Sequence, residues 1–176
     1  MALTNDDAGA FLDPEPLGRI VDAPRPTHDI THELQIDAGP AAVYVALTTA
    51  AGLQRWWPGV WSDPEAVEGS ELVLEDEDGL RFRARVDLLD PSSIVKLVHW
   101  QVDEGPDEWR GTTVAFRVEG IDTTGDGRAD AGTVVRFWHG GWELADGALP
   151  RASFGWAMAL GRLRKTLAPE QPTLAP

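Results

Sequence analysis

The residues of this 176-residue chain that could do chemistry begin with His139. It lies in Thr133–Trp142, where Val135, Phe137 and His139 share one face and Arg136 and Trp138 the other. An imidazole on the apolar face of a strand has three uses. It can donate a hydrogen bond to a ligand carbonyl, act as an acid or base near neutral pH, or be satisfied by a backbone carbonyl. His32 shares the inward phase of Ile30, Leu34 and Ile36, whereas His28 and His99 read as exposed. Two inward histidines with no inward acid on a paired strand make a poor metal site, and none is expected there. A second candidate is Asp122-Thr-Thr-Gly-Asp-Gly-Arg-Ala-Asp130, which has oxygen ligands at the spacing of a calcium loop (Asp122, Asp126, Asp130) and Gly127 at the sharp turn. Thr133 stands where the bidentate Glu belongs, and the flanks are strands, so the competing reading is an Asp/Gly-rich hairpin loop.

Other chemistries lack residues. There is no Cys, hence no thiolate nucleophile or thiolate metal site. Ser153 reads as a helix cap, and no Gly-x-Ser-x-Gly or phosphate-binding glycine loop occurs, so no cofactor is expected. The paired carboxylates (Asp76-Glu77-Asp78, Asp103-Glu104, Asp107-Glu108) fall at expected hairpin tips, where charge serves solubility. A formal net charge of −14 disfavours nucleic acids and anionic membrane surfaces as partners. With no signal-peptide pattern and no bilayer-length apolar run, the expected location is the cytoplasm.

The remaining candidates are aromatic. Trp56, Trp57, Trp61, Phe82, Trp100, Phe116, Phe137, Phe154 and Trp156 can all face the interior with His139. Each such side chain buries roughly 150–250 Å², so core packing alone accounts for any one of them. As a set they also suit a concave apolar site with one placed polar group.

Positioning these residues requires a curved sheet and a long helix. Asp29–Asp37 alternates as a strand, and Pro40 opens a helix over Ala41–Thr49. A second short helix covers about Ala51–Trp57 and ends at Pro58-Gly59. Strands follow at Glu68–Glu75, Leu80–Asp90, Ile94–Asp103, Trp109–Glu119 and Thr133–Trp142, with Gly120–Gly132 a polar loop. Phe154–Leu167 repeats Trp156, Leu160, Leu163 and Leu167 at helical spacing. The predicted fold is α+β: an antiparallel sheet of about six strands wrapped around the last helix, with two short helices after the first strand. One domain spans 29–168, preceded by an irregular arm at 1–28 and followed by a short tail at 169–176.

Four motifs in order carry a resemblance: Ile36-Asp-Ala-Gly-Pro-Ala-Ala-Val-Tyr44 with Ala46-Leu-Thr48, Leu53-x-x-Trp-Trp57, His139-Gly-Gly-Trp142, and Gly155-Trp156 with Leu160 and Leu163. Together they resemble the START and Bet v 1-like superfamily, in the branch related to the activator of Hsp90 ATPase, and in part its enediyne self-resistance members. Tyr44 replaces a usual Trp, and the loop before Thr133 is longer than usual. The resemblance implies a helix-grip fold whose sheet–helix cavity opens near Trp57 and Trp61. It implies non-catalytic binding or sequestration of a hydrophobic, aromatic or polyketide-like small molecule, in natural-product biosynthesis or self-resistance. The alternatives are a polyketide cyclase or aromatase using His139 as acid/base, and an Hsp90 cochaperone-like protein-binding module. A fold hosts many chemistries, so the site has to choose among these.

Overall fold

The computed structural model describes residues 28–61, 67–76, 78–91, 95–122, 125, 131–143 and 147–168. The expected arm, apart from His28, and the tail beyond Ala168 lie outside these residues.

Strand β1 (His28–Ile36) buries Ile30 and Ile36 on one face. Helix α1 (Pro40–Thr48) starts on Pro40, whose missing N–H costs nothing in a first helical turn. It ends where the Thr48 hydroxyl donates back to the Tyr44 carbonyl at 2.8 Å. Thr49 then caps α2 (Ala50–Leu53), its Oγ1 accepting from the Gly52 amide at 3.0 Å. Position 52 must be glycine, because a Cβ there would lie 2.3 Å from the Val45 carbonyl oxygen. The second helix is thus one turn long, shorter than its sequence suggests. The chain continues through turns in which the indoles of Trp56 and Trp57 donate to the carbonyls of Ala46 and Glu75, both at 2.9 Å.

The sheet strands are β2 (Gly59–Val60), β3 (Glu71–Glu75), β4 (Arg81–Asp90), β5 (Val95–Glu104), β6 (Thr113–Ile121) and β7 (Gly132–Trp142). A single 3-10 turn, Asp107–Trp109, joins β5 to β6. The sheet has seven strands in the order β1-β7-β6-β5-β4-β3-β2, all antiparallel, rather than about six. The extra strand is the two-residue β2, too short to alternate visibly. The meander runs sequentially from β2 to β7, and β1 returns to pair with β7. Asp76 closes the β3–β4 hairpin by accepting from the amides of Asp78 and Leu80 at 2.9 and 2.8 Å.

Alternation holds on the inner face. Phe82, Ala84 and Val86 are buried until a register irregularity between Val86 and Leu88 shifts the phase. On the outer face arginines pair with acids on neighbouring strands. Arg81 meets Glu75 at 2.8 Å, and Arg136 bridges Glu33 and Glu119 at 3.0 Å each. Such half-solvated pairs mainly set register. His99 departs from its expected exposure: it is buried, and burial holds its pKa below the usual value against the opposing charge of Asp87.

Helix α3 (Ala148–Leu167) grips the inner face. It begins six residues before the predicted start, because Pro150 falls in its first turn, where proline is tolerated. Ser153 therefore lies inside the helix and is no cap. Its carbonyl instead faces His32 Nε2 on β1 at 3.2 Å. The stripe Trp156, Leu160 and Leu163, joined by Ala152 and Ala159, is buried, and Leu167 packs at its end. This curved sheet around a C-terminal helix is a helix-grip α+β fold.

Candidate functional site

The site grows from the β6–β7 pairing. Thr113 is opposite Gly140 and Val114 opposite His139, so Thr112 is carried to the side of an imidazole far along the chain. His139 is fully buried, as its strand phase requires. The Trp156 indole N–H, on α3, points at His139 Nδ1 at 2.9 Å. An indole nitrogen only donates, so Nδ1 must be unprotonated and the imidazole proton sits on Nε2. Nε2 then donates to Thr112 Oγ1 at 2.8 Å, and the Thr112 hydroxyl donates to the Trp109 carbonyl at 2.5 Å. Trp142 Nε1 adds a hydrogen bond to the His139 carbonyl at 3.1 Å. Burial lowers the His139 pKa to about 3. At neutral pH the ring is an uncharged connector with both nitrogens occupied.

Around this connector the aromatic side chains close ranks. Trp156 meets Phe137 at 4.5 Å and Trp57 at 5.2 Å between ring centroids, and Trp109 meets His139 at 5.0 Å and Phe82 at 5.1 Å. Deeper, Trp100 and Phe116 pack edge to face at 4.9 Å. Among the described residues, the inner face of the sheet and the stripe of α3 thus meet through aromatic rings. Phe82, Trp100, Phe116 and Phe137 belong to this interior. The Trp100 indole N–H is buried with no hydrogen-bond partner among the described residues, a state that ordinarily costs about 1–3 kcal/mol.

Outside the aromatic layer lies a solvent-open groove of about 490 Å³. Its floor is the outer edge of Trp57, Trp109 and Trp156. One wall is α3, where Ala152, Gly155 and Ala159 follow one another a turn apart. The other wall is the hairpin tips, with Leu80 and Pro106. Phe154, expected to face the interior, is 69% exposed because it falls off the buried stripe of α3; with Met158, 48% exposed, it extends the apolar surface along the helix. Asp76, Asp78, Glu108, Arg151 and Arg162 bring charged groups to the groove lining.

Of the sequence candidates, the groove joins Trp57 and Trp156, with His139 beneath them. Trp61 is elsewhere: it is 61% exposed and carries the Arg81 guanidinium 4.4 Å from its ring centroid, beside the Arg81–Glu75 pair. Trp109 and Thr112 were not among the candidates. Trp109 reads in sequence as the start of a strand, and only the 3-10 turn directs it inward. Asp122 is exposed and accepts from the Gly125 amide at 2.6 Å, while Asp126 and Asp130 lie outside the described residues. Among the described residues no group of three or more His, Asp or Glu side chains could hold a metal ion. No helix among them is long and apolar enough to cross a membrane.

The family model described as activator of Hsp90 ATPase homolog 1-like protein matches residues 37–168. The chain belongs to this family. Solved structures agree in fold. The Aha1 dimer from Colwellia psychrerythraea is 29% identical, with a TM-score of 0.65 over 80% of this chain and 96% of that one. Protein MLL2253 from Mesorhizobium loti is 19% identical, with a TM-score of 0.60 over 80% and 96%. The ginseng major latex-like protein 151 from Panax ginseng is 14% identical, with a TM-score of 0.60 over 81% and 98%. No curated protein matches the chain at a significant level.

Proposed function

We propose that this protein is a non-catalytic binder of a hydrophobic, aromatic or polyketide-like small molecule, and that the ligand lies in the groove over the aromatic layer. The observation that carries this reading is the groove itself: about 490 Å³, open to solvent, floored by three tryptophans and edged by charge. Its volume falls within the range of about 300–1,000 Å³ common for small-molecule sites, and its make-up suits that use. The state of His139 favours binding over catalysis. To accept a proton the ring would have to break its bond from Trp156 and acquire charge in a dry interior. Its role in this reading is to hold Trp156 and, through Thr112, Trp109. Sequestration of an aromatic natural product, as in self-resistance, is the biological setting that such a site would serve.

A library of neutral polycyclic aromatics, followed by tryptophan fluorescence and calorimetry, tests the proposal. Quenching that saturates is expected, with affinity falling about tenfold or more in Trp57→Ala, since an aromatic wall is lost. If no member of the library binds, or if Trp57→Ala binds as well as the natural chain, the groove reading fails.

A further inference from the structure

We infer that Gly155 determines what the groove selects: it lets a flat, fused-ring face lie directly on the α3 backbone. This rests on the groove reading above. Glycine inside a helix lowers helix stability relative to alanine, so an interior glycine needs a reason. Two glycines of α3, Gly155 and Gly161, are exposed, and at neither would a Cβ meet an atom within 4 Å. Packing therefore requires neither, and neither has the positive φ that would demand glycine. They differ in position. Gly155 lines the groove and Gly161 does not. With Ala152 and Ala159 on adjacent turns, Gly155 makes a strip of helix wall bearing nothing larger than a methyl group. A planar ring system meets such a strip over its whole face, and the contacts summed over that face favour it over a rounded hydrophobe of equal size. The hairpin-tip wall adds the apolar side chains of Leu80 and Pro106, beside the acids Asp76, Asp78 and Glu108.

The experiment uses 2-naphthol and 1-adamantanol, a flat and a cage-shaped alcohol with equal numbers of carbon and oxygen atoms, titrated calorimetrically into the natural chain and three variants. The flat probe should bind more tightly to the natural chain. Gly155→Ala should weaken it a few-fold and Gly155→Leu at least tenfold, because a side chain now fills the contact. Both variants should melt no lower than the natural chain, and Gly155→Ala about 2–4 °C higher, from helix propensity alone. Gly161→Leu, the control on the same helix, should leave the affinity unchanged. Undiminished naphthol binding by a folded Gly155→Leu variant, or equal affinity for the two probes, overturns the inference and leaves the groove reading standing. Binding of neither probe to the natural chain overturns both.

Discussion

The neutrality of His139 makes stability depend on pH in a way that one substitution should remove. In the unfolded chain a histidine titrates near its ordinary value of 6.5, whereas folding lowers the His139 pKa to about 3. Between these values the unfolded chain binds a proton that the folded chain refuses. The contribution is therefore fully present above about pH 6.5 and is lost as pH falls towards the folded value. From pH 7 to about pH 4.5 the proton linkage from this one ring comes to about 2.5 kcal/mol, a large part of a typical folding free energy. His139→Gln keeps an amide that can accept from Trp156 and donate to Thr112 but does not titrate. At pH 7 it should cost only about 1–2 kcal/mol, from imperfect hydrogen-bond geometry. Urea unfolding of both proteins at the two pH values supplies the comparison. The natural chain should lose about 2.5 kcal/mol more than the variant on acidification, since the other titrating groups, His99 included, are common to both. Equal losses would refute the assignment of a buried, neutral His139, and so would an imidazole NMR titration with an ordinary midpoint.

Other perturbations test the packing. Gly52→Ala should destabilise by about 3 kcal/mol or more, measured by urea midpoint, because the new methyl group meets backbone atoms of α1 that cannot yield. Trp156→Phe and Trp100→Phe remove similar ring volume from the same core, yet the first should cost about 1–2 kcal/mol more. It leaves His139 Nδ1 without its donor, whereas Trp100 gives up an N–H that already lacks a partner among the described residues. Equal losses in chemical denaturation would show that these hydrogen bonds contribute nothing separate from volume.

The aromatic contacts between sheet and helix bear on where a ligand would be sought in this member of the family. The sheet–helix space holds Trp156, Phe137, Phe116 and Trp100 in contact, and the groove of about 490 Å³ lies outside them. The tryptophans of the floor thus have two duties. Their inner faces stabilise the core, and their outer edges form the candidate binding surface.

What the amino-acid sequence determined by itself was periodic. Alternation placed Phe82, Trp100, Phe116, Phe137 and His139 on the inner face, and helical spacing placed Trp156, Leu160 and Leu163 on the gripping stripe; each is buried. These follow from the local geometry of strand and helix, which any stretch of chain carries with it. Tertiary structure decided the rest. The chemistry of His139 depends on Thr112 and Trp156, which the β6–β7 register and the docking of α3 deliver from distant positions. Trp109 turns inward because of one 3-10 turn, and Trp61 goes to the surface, where its ring meets the Arg81 guanidinium. The groove has no periodic signature at all. It exists because two hairpin tips approach one face of α3, and a distance between elements is not written in the pattern of either.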